Sequence, residues 1–246
     1  MSRNIKHEPA DESGKTFQRS TRYIGGIKEN FHIAEADNTA GLIKLPEVNL
    51  PSDLSFYNCL KMRRSIRDYT GEPVTEIELS QVLRAAQGVS ITRGDRHLCT
   101  APSAGALYPV DTYIALFDVD GIPKGLAKYI ADNHALQWVY RTDEDLRAGF
   151  YDACLQQGMV LNSSVLVIWI ADFNRCVWRY GQRAYRYVYL DAGHMAQNLL
   201  LACAGLGLGA CPIGAYFDDR IDNLCGLDDE TRTVIYCATI GKITDK

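Results

Sequence analysis

The stretch PVTEIELSQVLRAAQG, residues 73–88, carries apolar residues at alternating spacings of three and four. This is the period of one face of an α-helix, and it predicts a helix with one side in the core. Thr75 and Glu78 have the spacing of a capping box, which satisfies free backbone N–H groups at a helix start. Gly88 follows the last apolar position and is a typical helix stop. Both ends of this helix are therefore predicted.

The longest predicted helix runs from about residue 183 to 204, and its two faces differ. One arc is apolar and is expected to face the core: Val188, Ala192, Ala196, Leu199 and Cys203. The opposite arc is polar with few charges: Arg183, Tyr187, Asp191, His194 and Asn198. Such an arc is typical of a solvent-exposed face, but its Tyr, His and Asn also suit a subunit interface or a cofactor-side wall. Sequence alone leaves both interpretations open.

Short stretches rich in β-branched residues predict the strands. SVLVIWIAD, residues 164–172, predicts a central buried strand, and VDTYIALFDV, LGACPIGAYF and TVIYCATIGK predict three more. GLAKYIADNHALQWV predicts a hairpin that turns at Asp132-Asn133. Helices and strands alternate irregularly, with hairpins between them. The sequence therefore predicts an α+β fold with a mixed or antiparallel sheet rather than a doubly wound parallel one.

The first 50 residues differ from the rest of the chain. They are polar, mixed in charge and aperiodic, and they predict an extended N-terminal arm, residues 1–50, that lies over the body or over a partner. Residues 51–246 are predicted to form one domain, because a chain of 246 residues that is 47% hydrophobic supports one large core. We expect this domain to begin with a helix capped by Ser52, and a further helix to lie across 143–158.

Charge and composition exclude several classes of function. The 26 Lys and Arg against 30 Asp and Glu give a net charge of −4, without the basic footprint of a nucleic-acid-binding protein. We find no apolar stretch of the roughly 20 residues that a membrane span needs and no signal-peptide pattern, so we expect a cytoplasmic protein. The eight cysteines form no CxxC pair and the five histidines are scattered, which favours buried thiols over a metal site.

GLGLGA, residues 205–210, has the letters of the GxGxxA dinucleotide fingerprint. That fingerprint follows a strand and opens a helix, whereas this stretch ends a predicted helix and enters a strand. We interpret its glycines as a helix stop and a tight turn.

KMRRSIRDY, residues 61–69, places Lys61, Arg63, Arg64 and Arg67 close together in an acidic chain. A cluster of cations on a solvated helix face needs no ligand. The same cluster also suits an anion, since guanidinium groups bind phosphate and carboxylate through paired hydrogen bonds. The stretch alone does not decide between these interpretations.

Two loops of small residues are candidates for close contact with a ligand. PSAGALYP, residues 102–109, has Ser103, Ala104, Gly105 and Ala106 at the entrance of a strand. CPIGAYFD, residues 211–218, ends a strand with Gly214 and Ala215. Small side chains let backbone N–H groups approach a bound molecule, although such loops often only pack against their neighbours.

RRSIR, PSAGALYP and the stretch RYGQRAYRYVYLDAGHMAQNLLLACAGLGLGACPIGAY, taken together and in this order, resemble the nitroreductase superfamily, and within it the SagB-type dehydrogenases. The resemblance covers roughly residues 55–242. It implies a nitroreductase-like fold, with a central sheet flanked by helices in an intertwined homodimer. It also implies an FMN site at the subunit interface and NAD(P)H as a transient electron donor.

The resemblance assigns FMN contacts to particular positions. Arg63 and Ser65 would contact the phosphate, Arg64 the phosphate or the ribityl chain, and Arg67 the pyrimidine edge of the flavin. The ring and ribityl chain in the neighbouring subunit would be contacted by Pro102, Ser103, Ala104, Gly105 and Leu107. The segment near flavin N5 would be Pro212, Ile213, Gly214 and Ala215, and Lys242 would add charge at the phosphate.

Two positions depart from the family pattern. Azoline-oxidising members handle protons with a Lys-Tyr pair before the long helix, and here the matching pair is Arg179-Tyr180. Arginine does not act as a base at neutral pH, so the azole-forming role is in doubt. Tyr180 and Arg179 are the candidate catalytic residues. For Tyr180, packing among Tyr185, Tyr187 and Tyr189 is the alternative. Cys99 stands where many relatives have an arginine.

The leading functional hypothesis is an FMN-dependent oxidoreductase that transfers a hydride through flavin N5 to or from a small organic substrate. One alternative is the oxidation of a peptide thiazoline or oxazoline to an azole in a modified-peptide pathway. Others are a non-catalytic flavin-binding module and a flavin-consuming enzyme of the same superfamily.

Overall fold

A seven-stranded sheet forms the centre of the fold in the computed structural model, which describes residues 12–25, 41–47, 55–94, 96–227 and 231–244. The strands are β1 (Ile43–Lys44), β2 (Val74–Thr75), β3 (Val89–Arg93), β4 (Arg96–Cys99), β5 (Val110–Leu116), β6 (Val119–Asp120), β7 (Gly125–Ile130), β8 (Ala135–Arg141), β9 (Val165–Asp172), β10 (Leu208–Ile213) and β11 (Arg232–Lys242). The helices are α1 (Ser13–Ser20), α2 (Phe56–Met62), α3 (Glu76–Gln87), α4 (Arg147–Ala153), α5 (Met159–Asn162), α6 (Asn174–Tyr180), α7 (Arg183–Gly205) and α8 (Asp218–Leu224).

The sheet is antiparallel throughout, in the order β1-β8-β7-β5-β9-β11-β10. Two small sheets accompany it, the parallel pair β2-β6 and the antiparallel pair β3-β4. The prediction of an α+β fold with an antiparallel sheet flanked by helices is confirmed.

β9 is central, as its composition predicts, and separates two cores. Val165, Val167 and Trp169 belong to the core on one side, where α3 and α7 pack. Leu166, Ile168 and Ile170 belong to the core on the other side, under α4, α5 and α8. Successive side chains of a strand point to opposite faces, so an unbroken apolar run buries both faces.

The predicted ends of α3 are confirmed. The Thr75 hydroxyl accepts a hydrogen bond from the Glu78 backbone N–H at 3.2 Å, and the Glu78 carboxylate accepts one from the Thr75 N–H at 2.9 Å. The helix ends at Gly88. In α7, the whole predicted apolar arc is buried.

Several local predictions were wrong. The helix expected across 143–158 is replaced by α4 and α5, because Leu155 and Gln156 adopt positive φ values of 56° and 57° between them. The stretch before PSAGALYP, for which the sequence predicted no strand, contains the hairpin β3-β4. The predicted cap Ser52 lies outside the described residues, and α2 begins at Phe56.

The described parts of the N-terminal 50 residues lie against the rest of the chain. Residues 12–25 contain α1, which packs on α7 through the rings of Phe17 and Tyr189. β1 pairs with β8 at the edge of the main sheet. The remainder of the predicted arm lies outside the described residues. Among the described helices, none is long and apolar enough to cross a bilayer.

Candidate active site

The RRSIR segment lies along the free edge of β10. Ser65 forms a parallel bridge with Ala210, and the Ile66 N–H donates to the Ala210 carbonyl at 3.0 Å. Tyr69 is buried behind the segment, and its hydroxyl donates to the Ile66 carbonyl at 2.9 Å and lies 2.7 Å from the Thr239 hydroxyl. These contacts fix the backbone that carries the arginines.

The three arginines of this segment keep their charge available. Arg64 and Arg67 are exposed and Arg63 is half-buried. Arg64 donates to the backbone carbonyls of Lys61 and Arg63 at 3.0 and 2.8 Å. Within the part of the chain that the structure describes, no carboxylate forms an ion pair with any of the three guanidinium groups. Among the described residues, the cluster is therefore a concentration of positive charge that no carboxylate pairs with.

The end of β10 presents open backbone beside this cluster. β10 ends at Ile213, which is buried, whereas Gly214 and Ala215 are exposed and Pro212 is half-buried. The space where a Gly214 side chain would stand holds no atom of the described residues within 4 Å. Gln157 donates to the Ala215 carbonyl at 2.9 Å and holds the loop from behind. The register that pairs Ser65 with Ala210 thus brings two of the three predicted segments together.

Asp191 holds the PSAG loop, residues 102–106. The Ser103 hydroxyl donates to one carboxylate oxygen at 2.5 Å, and the Ala104 N–H donates to the other at 3.4 Å. Ser103 in turn accepts from the Tyr108 N–H at 2.9 Å. Burial raises the pKa of Asp191, and the hydrogen bond from Ser103 opposes that rise. At Asp191, therefore, the polar arc of α7 is a loop-binding surface rather than an open solvent face.

Gly105 in this loop meets the Arg179-Tyr180 pair. Its φ of +65° favours glycine, and a Cβ there would collide with the Tyr180 hydroxyl and lie 3.1 Å from Arg179 Nη1. Pro102 is exposed and Leu107 is half-buried against the core. The PSAG loop and the predicted catalytic pair are therefore neighbours within one chain.

Tyr180 is half-buried at the end of α6. Its ring packs edge-on against Tyr187, with centroids 5.0 Å apart, and the Arg179 guanidinium lies 5.4 Å from the ring centroid. Tyr185 instead stacks on Phe173. Of the three tyrosines that the packing interpretation placed around Tyr180, Tyr187 is therefore the one whose ring contacts it.

Lys242 forms an ion pair that the sequence did not predict. Its ammonium lies 2.5 Å from the Glu78 carboxylate, which also caps α3. Partial burial acts to raise the pKa of Glu78, but the hydrogen bonds from Lys242 and Thr75 outweigh it and hold the pKa below its usual value. Lys242 thus differs from the arginines of RRSIR, because its charge is already neutralised.

Sequence reasoning missed Asp191 and Glu78 as supports of the site. Asp191 stood out only as the sole acid in the polar arc of α7. Glu78 already had a role as a cap. Neither residue is near its partner in sequence, since 88 positions separate Ser103 from Asp191 and 164 separate Glu78 from Lys242.

The donor set of the RRSIR and β10 segments fits a phosphate-bearing flavin. Three guanidinium groups that form no ion pair with a described carboxylate, together with an exposed serine hydroxyl, suit a doubly charged phosphate. An open glycine at the end of a strand suits the close approach of a flat ring.

Comparison with known proteins identifies the family of the chain. Residues 60–242 match the Nitroreductase family, so the chain belongs to the nitroreductase family and is an oxidoreductase of that family. It is similar to "Putative nitroreductase MJ1384" of Methanocaldococcus jannaschii, with 37% identity over 179 residues, which are 73% of this chain and 86% of that protein.

Two further relatives bear on fold and function. "Trifolitoxin-processing protein TfxB" of Rhizobium leguminosarum bv. trifolii is 30% identical over 211 residues; the match spans 82% of this chain and 56% of TfxB. The crystal structure of a "putative nitroreductase" from Ralstonia eutropha JMP134 superposes with a TM-score of 0.73 at 25% identity and covers 91% of this chain and 98% of its own. The fold is therefore nitroreductase-like.

Proposed function

We propose that the protein is an FMN-dependent oxidoreductase of the SagB-type branch, which works in the cytoplasm as a homodimer and transfers a hydride to or from a small organic substrate. NAD(P)H would serve as the electron donor. The observation that supports this most is the placement of the arginines of RRSIR, which form no ion pair with a described carboxylate, beside the open end of β10.

The first group of residues would bind the flavin. Arg63 and Ser65 would hold its phosphate, with Arg64 at the phosphate or ribityl chain. Arg67 would stabilise negative charge at the pyrimidine edge, and the Gly214 and Ala215 backbone N–H groups would face N5. When bound, FMN would supply hydride transfer at N5.

Lys242 is the least favoured of the proposed phosphate contacts. Glu78 already takes its charge at 2.5 Å, so its ammonium would add little net attraction unless that ion pair opened.

The second group would act on the site of the partner subunit. Pro102, Ser103, Ala104, Gly105 and Leu107 would contact the ring and ribityl chain. Asp191 fixes the position of this loop from behind, and the Tyr180 hydroxyl lies beside Gly105. Tyr180 would donate its phenolic proton to a reduced substrate, with the Arg179 guanidinium 5.4 Å from its ring centroid.

Azoline oxidation is the second candidate function. The similarity to a trifolitoxin-processing protein favours a role in peptide modification. Arg179 argues against it, because a guanidinium does not take up the proton that azoline oxidation releases. A non-catalytic flavin-binding module has no specific observation in its favour.

Flavin content tests the proposal directly. The purified full-length chain should be yellow, with about one FMN per chain by absorbance after denaturation. Arg63→Ala and Arg67→Ala should each weaken FMN binding by about 1.5–3 kcal/mol, because each removes a charge-assisted hydrogen bond. Arg93→Ala, an exposed arginine in the β3-β4 hairpin, is the matched control.

Turnover separates the proposal from its alternatives. Steady-state oxidation of NAD(P)H with a quinone acceptor is expected for an enzyme and not for a storage module. Loss of yellow colour during aerobic turnover would instead identify a flavin-consuming enzyme. A colourless protein that gains no FMN on reconstitution, or full FMN retention in both arginine variants, would refute the site.

A further inference from the structure

A cavity of about 600 Å³ opens at the edge of the main sheet where β1 pairs with β8. Its walls come from the β1 segment, the end of α3, the start of β3 and the turn between β7 and β8. We call it the β1-edge cavity and define it by Lys44, Arg84, Val89, Asp132 and His134. β10 lies at the opposite end of the sheet, and none of the residues proposed for the flavin site lines the cavity. Within one chain, the two sites are therefore separate.

The floor of the cavity is a closed chain of hydrogen bonds. The Ser80 hydroxyl donates to the Pro46 carbonyl at 2.8 Å, so it accepts from His134 Nε2, which lies 2.8 Å away. The other ring nitrogen, Nδ1, then accepts from the Tyr129 hydroxyl at 2.7 Å. Burial and the charge of Arg84 lower the pKa of His134, in agreement with a neutral ring. The floor is therefore uncharged, and the charge of the cavity lies on its rim.

Four charged side chains of the described residues stand on the rim, and two of them neutralise each other. Arg84 forms an ion pair with Glu47 at 2.6 Å, and this contact lowers the pKa of Glu47. Lys44 is exposed and forms no ion pair with a carboxylate of the described residues. Asp132 is also exposed and lies 3.9 Å from His97, whose imidazole is charged only when protonated. One ammonium and one carboxylate are thus available to a ligand.

The strand register limits how far apart these two positions lie along the strand. Lys44 pairs with Ala135, and Asp132 precedes Ala135 by three residues in the chain. Three residues span at most about 10 Å when fully extended. Leu42 and Val89 add apolar surface to the lining. The cavity therefore suits a molecule with opposite charges at its two ends and an apolar middle, and an extended chain of two or three residues has this length.

We propose that the β1-edge cavity binds a short zwitterionic peptide of two or three residues with an apolar side chain. The terminal carboxylate pairs with Lys44 and the terminal ammonium with Asp132. An apolar side chain of the peptide packs against Leu42 and Val89. A volume of about 600 Å³ is within the range of small-molecule sites, about 300–1,000 Å³.

The charge pattern disfavours other ligand classes. A ligand with negative charge at both ends would place one of them near Asp132, and a ligand with two positive ends would place one near Lys44. Flavin chemistry is not required for this site, because it shares no residue with the proposed flavin contacts.

Three forms of one peptide test the charge pattern. Alanyl-phenylalanyl-alanine is a zwitterion, its N-acetyl derivative lacks the ammonium, and its C-terminal amide lacks the carboxylate. Saturation-transfer NMR titrations of the full-length protein at about pH 8, where a histidine is ordinarily neutral, measure Kd for each form. We expect the free tripeptide to bind roughly two- to fivefold more tightly than either blocked form, which is the size of effect that one exposed ion pair has.

Two variants assign each end of the peptide to its partner. Lys44→Ala should weaken binding of the free and N-acetylated forms by roughly two- to fivefold and leave the amide unchanged, because the amide has no carboxylate. Asp132→Asn should weaken binding of the free and amide forms and leave the N-acetylated form unchanged. Lys124→Ala and Asp143→Asn change exposed charges outside the cavity and are the matched controls.

The pattern of losses separates a binding site from a structural effect. Equal Kd values for the three forms, or the same loss for all three forms in one variant, would overturn the site. Absence of binding at millimolar peptide, or displacement of FMN by the tripeptide, would overturn it as well. FMN content should be the same in both variants as in the wild type. A protein without FMN would instead refute the proposed function, and the peptide titrations would still report on the cavity.

Discussion

The Ser103 hydroxyl donates to the Asp191 carboxylate at 2.5 Å and ties the PSAG loop to the middle of the longest helix. The carboxylate is buried, so removal of one partner leaves a polar group without compensation. A charge-assisted hydrogen bond in such a setting is among the stronger single contacts in a protein.

We expect Ser103→Ala and Asp191→Asn each to lower the free energy of unfolding by about 1–3 kcal/mol. The double variant should lose less than the sum, because both changes remove the same hydrogen bond. Urea unfolding followed by circular dichroism measures all four proteins. Ser90→Ala, whose exposed hydroxyl donates to the Leu98 carbonyl, should cost under about 0.5 kcal/mol. Strict additivity in the cycle would show that the two residues act independently.

Gly105→Ala should destabilise the protein by more than about 1 kcal/mol, because it combines a positive φ with a collision. Gly94→Ala isolates the first effect, since Gly94 has a φ of +62° but no described atom within 4 Å of the point where a Cβ would stand. The double variant Gly105→Ala/Tyr180→Phe should recover part of the loss, because the hydroxyl that meets the new methyl group is gone. Thermal unfolding of these variants and the wild type measures the differences, and equal losses at Gly94 and Gly105 would argue against the contact with Tyr180.

Tyr180→Phe should leave FMN binding and flavin reduction by NAD(P)H nearly intact. It should slow the oxidative half-reaction with a proton-requiring acceptor by roughly 10²-fold, because the phenolic proton is lost. Stopped-flow flavin absorbance measures each half-reaction separately. Tyr187→Phe keeps the packed ring and removes a hydroxyl that accepts from Arg183, so it serves as the control. Unchanged rates in Tyr180→Phe would assign this residue to packing, and a loss confined to the reductive half would reverse its proposed role.

The protein is expected to be a homodimer in its flavin-loaded form, because the PSAG loop is proposed to complete the site of the partner subunit. Multi-angle light scattering coupled to flavin absorbance measures mass and cofactor in the same peak. A flavin-loaded monomer at micromolar concentration would contradict the shared site.

The stability of the protein should depend on pH through Asp222. Burial raises the pKa of this carboxyl from 3.8 to about 6, against the hydrogen bonds from Val234 and Thr233 and the charge of Arg22. The folded protein therefore binds this proton more tightly than the unfolded chain does. The contribution of Asp222 to the free energy of unfolding thus falls as pH rises from about 4 to 6.

Asp222→Asn removes this titration. The stability of the wild type relative to the variant should be about 2 kcal/mol more favourable at pH 4.5 than at pH 7.5. Urea unfolding of both proteins at the two pH values tests this. The same difference at both values would mean that Asp222 stays ionised in the folded state.

Local patterns predicted the elements whose stability is local. Three examples are the capping box of Thr75 and Glu78, the apolar run of β9 and the apolar arc of α7. Within each of these patterns, the residues lie a few positions or a few helical turns apart along the chain. The cationic segment could also be recognised as a candidate ligand site, and its role stays a prediction.

The remaining features depend on distant contacts. α1 is polar and short, and it lies where Phe17 meets Tyr189, a partner that is remote in sequence. Short isolated helices are marginal in water, so tertiary packing decides whether such a segment is helical. The pairing of Lys242 with Glu78 and the position of residues 12–25 between α7 and α8 could not be predicted for the same reason.

Tyr69, whose hydroxyl helps to fix the RRSIR segment, also bears on aggregation. Its ring packs over Gly209 of the edge strand β10 and Gly241 of its neighbour β11, which are paired directly, and its hydroxyl holds the RRSIR backbone against β10. An exposed edge strand is a template for pairing with another chain, and here the segment that carries the arginines covers part of that edge. Loss of the Tyr69 ring would free the edge and the arginines together, so a defect in anion binding and a tendency to form intermolecular sheet would arise from one change.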